Sequence, residues 1–219
     1  MIDHVAAIQA LRTQALTLAV CTTGSTSLSN TTSAYVRAAG SFLTDRFRAG
    51  MEVTPTGFPS STKQTITNVT ATVMTVSGTM TAAAAASGRT LAVGLPSNRQ
   101  WENTDFTPPS APTPYVVEQY LPGPTSKVTI GPFGQVEGTP MYALAVYAAN
   151  KVGIDAPYAY ADALLDLFAP STNLSLSDGN TLRVRTDTGP YRGQLIRDDA
   201  GRSVIPITIP LRIRTANLI

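Results

Sequence analysis

Histidine and cysteine occur once each in this chain, as His4 and Cys21. A single cysteine rules out an intrachain disulfide and a cysteine-ligated metal cluster, and it suits synthesis in a reducing cytoplasm. A single histidine rules out a two-histidine zinc site. A nucleophile–base system would have to use His4, beside the start of a predicted helix, where a structural role fits better. The chain has no Gly-x-Ser-x-Gly elbow and no Gly-Lys pair for a phosphate-binding loop. No apolar run approaches the roughly 18 residues needed to span a bilayer. The N-terminal stretch MIDHVAAIQALRTQALTLAV lacks the basic start and unbroken apolar centre of a secretory signal.

Charge is scarce as well. Asp, Glu, Lys and Arg make up 14% of the chain, against roughly 25% in an average globular domain. The net charge of +2 is too small to predict nucleic-acid binding from composition. The surface must be rich in Thr, Ser, Asn, Ala and Gly, which protects less against association than a charged surface does. Two carboxylate pairs, Asp162 with Asp166 and Asp198 with Asp199, could be read as a glycosidase dyad. An exposed helix face and a turn account for them more simply.

What is present is a hydrophobic fraction of 43%, enough for a core, and a change of character along the chain. Ile2, Val5, Ile8, Leu11 and Ala15 predict an amphipathic helix over residues 2–16, which needs a partner to be stable. Thr22 to Thr32 is nearly all Ser, Thr, Gly and Asn and reads as a linker. Short alternating runs follow, among them residues 33–37, 63–69, 73–77 and 90–93, with glycines between them. This pattern predicts a small barrel or sandwich. Residues 22–97 thus read as an inserted β-rich domain, and residues 1–21 with 98–219 as its host. A long insertion into a loop is cheap, because closure entropy grows only with the logarithm of length.

The host segment opens on the only tryptophan, Trp101, and on Pro108, Pro109, Pro112 and Pro114. Strands are expected at Tyr115–Leu121 and Lys127–Ile130, then a glycine-rich loop over residues 131–138 that holds Phe133. Met141–Ala149 has an ambiguous period and suits a buried strand. Ala156-Pro157 opens a helix running to Phe168, with Asp155 as its expected cap. Asn173–Leu176 and Leu182–Arg185 alternate around the turn Asp178-Gly179-Asn180. Residues 203–214 form a long final strand, whose Pro206 and Pro210 predict an edge position. Arginines crowd the last third. Arg183 with Arg185, and Arg212 with Arg214, each share a strand face. They could meet DNA phosphate, an acidic neighbouring subunit, or only solvent.

These pieces carry a resemblance. A short N-terminal helix, Trp101-Glu102-Asn103 with Phe106-Thr107-Pro108-Pro109, and the strand Tyr115–Leu121 come first. A glycine-rich loop ending in Gly138, the strand Met141–Tyr147, the helix Pro157–Phe168 and the strand Val204–Ile209 follow in order. Residues 98–219, with the first helix, resemble the tail terminator proteins of long-tailed bacteriophages. The resemblance implies an α+β fold, with a small, mostly antiparallel sheet and two packed helices; the inserted all-β module is additional. It also implies a homohexameric ring that caps the tail tube, ends its polymerisation and joins it to the head connector or neck. The expected partners are other copies of the chain, the major tail tube protein and the connector, with DNA passing through the lumen unread and no membrane contact. The protein would be assembled in the host cytoplasm into the head-proximal end of the virion tail. No catalysis and no cofactor are implied. Trp101, Phe106, Phe133, Arg183, Arg185, Arg212 and Arg214 are the candidate ring or tube contacts. Two other functions compete: another neck or head-completion ring protein, and a carbohydrate- or cell-surface-binding module using Tyr35, Phe42 and Phe58 of the insertion.

Overall fold

The structure, a computed structural model, describes residues 2–24, 27–102, 104–110, 113–129, 134–148, 153–197 and 201–216. Among them the chain is mostly β, with two helices and seventeen strands. Helix α1 (His4–Leu16) starts where the Asp3 carboxylate accepts from the Ala6 amide at 3.0 Å. Its buried line is Ala6, Ala7, Leu11 and Ala15. The three alanines let the helix lie close to its support. Val5, which the sequence pattern put on the apolar stripe, is 64% exposed.

The first sheet takes all its strands from Cys21 to Val93: β1 (Cys21–Gly24), β2 (Leu28–Asn30), β3 (Ala34–Arg37), β4 (Glu52–Thr56), β5 (Gln64–Val69), β6 (Val73–Val76) and β7 (Thr90–Val93). The order is β1-β7-β4-β5-β6-β3-β2, antiparallel throughout. The stretch expected to be a linker therefore supplies β1 and β2. Threonine suits strands, and Cys21, Thr23, Leu28 and Asn30 alternate inward. The sheet must curl. A flat seven-stranded sheet would hold its edges about 29 Å apart, at about 4.8 Å per strand. Gly24 of one edge and Leu28 of the other are joined by a stretch that spans at most about 14 Å. The curled interior holds Tyr35, Phe42, Phe47, Met51, Ile66, Met74 and Leu91, all fully buried.

The second sheet contains β8 (Asn98–Gln100), β9 (Tyr115–Leu121), β10 (Thr125–Lys127), β11 (Gln135–Gly138), β12 (Met141–Ala148), β13 (Asn173–Ser175), β14 (Thr181–Val184), β15 (Tyr191–Arg192), β16 (Ile196–Arg197) and β17 (Ser203–Ala216). Ten strands make it larger than the small sheet expected. Of the loop expected over residues 131–138, residues 135–138 form β11, which pairs with β10; the strand expected at residues 127–130 is found instead at 125–127, and residues 130–133 lie outside the described residues.

Strand β17 is the spine, not an edge. It pairs with β12 and β11 on one side and with β14, β15 and β16 on the other. In an antiparallel strand a residue's N–H and C=O point to the same side. The carbonyls of Pro206 and Pro210 accept from the amides of Gly193 and Arg185, at 2.7 and 3.0 Å. Both missing donors therefore fall on the side where the partner strands are short and interrupted, and the unbroken β12 ladder loses nothing.

Helix α2 (Asp155–Leu167) buries Ala156, Pro157, Tyr160, Ala161 and Leu164 and touches β12 and β17. Asp155 is its first helical residue, next to the N-terminal partial charge; Ile154 holds the cap position and makes no side-chain cap bond. Both helices cover the face bearing Val116, Glu118 and Tyr120 of β9, Tyr142, Leu144 and Val146 of β12, and the odd-numbered residues 205–213 of β17. The buried residues of the two sheets form one continuous apolar cluster. Where they meet, the Glu52 amide donates to the Tyr160 hydroxyl at 3.3 Å, and the Ser97 amide and hydroxyl donate to the Glu52 carboxylate at 2.7 and 2.8 Å.

Candidate functional site

The other face of the second sheet carries no helix. Antiparallel register puts its outward side chains in rows across β14, β17, β11 and β12. One row is Thr181, Arg214 and Glu137; the next pairs Arg183 with Arg212; the next sets Arg185 beside Pro210, followed by Met141 and Leu121. Arg183 and Arg212 are direct cross-strand neighbours, a like-charge placement that is unfavourable in isolation. Glu137 answers part of it. One oxygen lies 3.3 Å from Arg212 Nε and the other accepts from Arg214 Nε at 2.7 Å. Arg183 has a neutral partner, donating to the Ser171 hydroxyl at 3.3 Å. Together with Asn173, Asn180 and Thr181, these arginines line a groove of about 330 Å³. Arg185 is tied to Asp187 through two bonds of 3.0 and 2.5 Å, and this hydrogen-bonded fork holds the Asp187 carboxyl down at about 2.

Beside the arginines runs a more apolar groove of about 480 Å³, bordered by Leu121, Pro124, Pro140, Met141, Tyr191 and Pro210. Leu121, Met141 and Tyr191 are 42%, 40% and 50% exposed. The joined surface is an apolar centre with an arginine margin, a composition that recurs at protein–protein interfaces. It has the chemistry of adhesion. Among the described residues, no three His, Cys, Asp or Glu side chains stand together so that they could hold a metal.

The structure brings the four candidate arginines together on this face, places Phe106 at the Tyr115 end of the same face, and sets Trp101 against helix α1. Trp101 is half-buried between the guanidinium groups of Arg12 and Arg99, 5.2 and 5.9 Å from its ring centroid. It anchors the segment that follows β8 to helix α1 of its own subunit. Phe106 packs on Tyr115 at 5.5 Å; Tyr115 in turn stacks on Tyr147 at 4.5 Å. Phe133 lies outside the described residues. Tyr35 and Phe42 are fully buried, and Phe58 is 8% exposed, so these rings are core to the first sheet and cannot grip a sugar. This removes the basis of the carbohydrate-binding reading. His4 Nδ1 is 2.9 Å from the Tyr120 hydroxyl, a structural contact between α1 and β9. Asp162 pairs with Arg192 at 2.8 Å; Asp198 and Asp199 lie outside the described residues.

Glu118 is the residue that sequence reasoning missed. Its side chain is fully buried, yet it gathers Arg12 Nε at 2.9 Å, Arg12 Nη2 at 2.5 Å, the Tyr142 hydroxyl at 2.9 Å and the Glu102 amide at 3.2 Å. Burial, and then the Glu118 charge, push the Tyr142 hydroxyl far up from its usual value, and the hydrogen bond to Glu118 pushes Arg12 up. A signal existed: Glu118 falls on the apolar phase of its strand, between Val116 and Tyr120. A carboxylate there must find a cation.

A family model described as "Phage tail terminator protein" matches residues 78–211. The matched segment begins between β6 and β7, so α1 and β1–β6 precede it and β7 falls within it. No curated protein and no solved structure matches the chain.

Proposed function

This chain belongs to the phage tail terminator family, and from that premise we propose that it caps the tail tube as a homohexameric ring. The family makes it a structural component of a phage tail. In the proposed role the ring stops tube polymerisation at the head-proximal end and offers the joint for the head connector. DNA crosses the lumen without being read, and no reaction is catalysed.

The helix-free sheet face carries this reading furthest. A subunit that leaves an apolar groove rimmed by arginines exposed, on a chain with little surface charge, is suited to close packing against protein neighbours. Arg183, Arg185, Arg212 and Arg214 are the proposed contacts. Trp101 and Phe106 act indirectly in this scheme, by holding the sheet to its own helix α1 and to the segment before β9. Residues 22–97 are proposed as an added β domain on the host formed by 1–21 and 98–219. Six of its seven strands precede the matched segment, which supports an addition, while β7 lies inside it.

Deleting the gene and imaging the particles tests the role. The expected outcome is filled heads without tails, together with tubes of uncontrolled length. Tails of normal length that merely fail to join heads would refute termination and indicate a neck protein instead.

A further inference from the structure

We propose that the helix-free face of the second sheet docks an extended segment of a different polypeptide, apolar at one end and acidic at the other. The proposal rests on the reading of the chain as a tail component and names the chemistry of one partner.

Register lays the face out along β17, whose Thr208, Pro210, Arg212 and Arg214 share this side with Tyr191, Met141, Arg183 and Glu137. Leu121, Met141 and Tyr191 border the apolar groove at one end; Arg183, Arg212 and Arg214 line the other groove. From Thr208 to Arg214 the strand covers about 20 Å, the length of about seven extended residues. One segment can therefore reach both ends.

The charge at the arginine end is not balanced. Arg183, Arg212 and Arg214 have one carboxylate beside them, that of Glu137. Arg183 donates to the neutral Ser171 hydroxyl, and Arg212 Nε lies 3.3 Å from Glu137 without making a hydrogen bond. Arg185 is closed off by Asp187, so the excess charge sits on the Arg183–Arg212 pair, one row from Pro210 and Met141. Carboxylates arriving from outside would bridge the two guanidiniums while apolar side chains filled the adjoining groove.

Two other occupants match the face less well. A DNA backbone would meet the arginines but leave Leu121, Met141 and Tyr191 uncovered. A second copy of this chain has few carboxylates to offer. Among the described residues, Asp105 and Asp166 are the ones whose side chains have no hydrogen bond or ion pair, and they stand singly, one before β9 and one on α2. The complementary acidic run must come from another protein.

A photo-crosslinking residue, p-benzoylphenylalanine, placed at the half-exposed Tyr191 during phage assembly tests this. The expected adduct joins the chain to a different virion protein, through a peptide that carries at least two Asp or Glu near its apolar attachment point. Arg183→Glu combined with Arg212→Glu should cut the adduct by about tenfold or more, with the circular dichroism spectrum and oligomer mass unchanged. An adduct to another copy of this chain, a nuclease-sensitive adduct to DNA, a peptide without acidic residues, no adduct at all, or an adduct undiminished by the double change each overturns the proposal. The gene deletion tests the tail role separately: an acidic-peptide adduct, on a protein whose loss leaves tails of normal length, overturns termination and keeps this docking surface.

Discussion

Replacing Glu118 with alanine should unlatch helix α1 from the second sheet. The carboxylate is fully buried and bonded to Arg12, the Tyr142 hydroxyl and the Glu102 amide. Its removal leaves a buried hydroxyl without an acceptor and a guanidinium without its counter-charge. Breaking a buried ion pair from one side costs about 3–5 kcal/mol. The Arg12 side chain is 27% exposed and can recover some hydration, which puts the expected loss near the low end, about 3 kcal/mol. For a chain of this size that corresponds to a fall in Tm of about 6–12 °C. Glu118→Gln keeps the shape and an acceptor but loses the charge, and should cost about half as much. Urea unfolding followed by Trp101 fluorescence reads both changes. The single tryptophan lies between Arg12 and Arg99, so it reports the α1 contact directly. The protomer concentration must be held fixed, since assembly shifts apparent stability. A Glu118→Ala midpoint within about 1 kcal/mol of wild type would refute the latch. So would a double-mutant cycle with Arg12→Met that shows no coupling between the two residues.

Three further outcomes are expected. Burial pushes the Cys21 thiol and the Tyr35 and Tyr120 hydroxyls up to about 12, from ordinary values of 9.0 and 10.0; the folded state then holds protons that the unfolded state releases, and stability should fall as pH rises from about 9 towards 12. Thermal unfolding between those limits checks it, and a flat profile contradicts it. Gly123→Ala would place a Cβ 1.9 Å from the Thr139 carbonyl oxygen, at the base of the β10–β11 hairpin; it should cost about 1–3 kcal/mol, and an unchanged Tm would show that the turn yields freely. Glu137→Ala leaves Arg212 and Arg214 without their shared carboxylate beside Arg183; the expected loss is about 1 kcal/mol at low salt and less at high salt, and a salt-independent effect would exclude like-charge repulsion as its cause.

Period and punctuation make several elements legible in the amino-acid sequence. Alternation marks β9, β14 and β17, and the turn Asp178-Gly179-Asn180 lies between β13 and β14. Proline in a first turn marks α2, which buries Tyr160, Ala161 and Leu164. Other readings fail where the deciding contact is remote in sequence. Val5 matches a helical stripe, but close packing of α1 selects the smaller Ala6 and Ala7 instead. Pro206 and Pro210 look like edge residues because proline withholds a donor. Which side of the strand lacks that donor, and whether an unbroken partner stands there, depends on β12 and β15. Trp101 looks like a contact for a neighbour, yet its ring is claimed by two arginines of its own chain.

By itself, the sequence determined that one histidine and one cysteine leave no intrachain disulfide, no two-histidine zinc site and no cysteine-ligated cluster. It also determined that Arg183 shares a face with Arg185, and Arg212 with Arg214. These are matters of composition and of the two-residue repeat of an extended backbone, which any strand obeys wherever it lies. Only the tertiary structure decided that Arg183 stands directly opposite Arg212, that Glu137 divides itself between two arginines, and that Met141 and Tyr191 open onto the same surface. Register is the physical reason. It is fixed by pairing with distant strands and by which face the helices cover, and a slip of one residue would turn every one of these side chains inward.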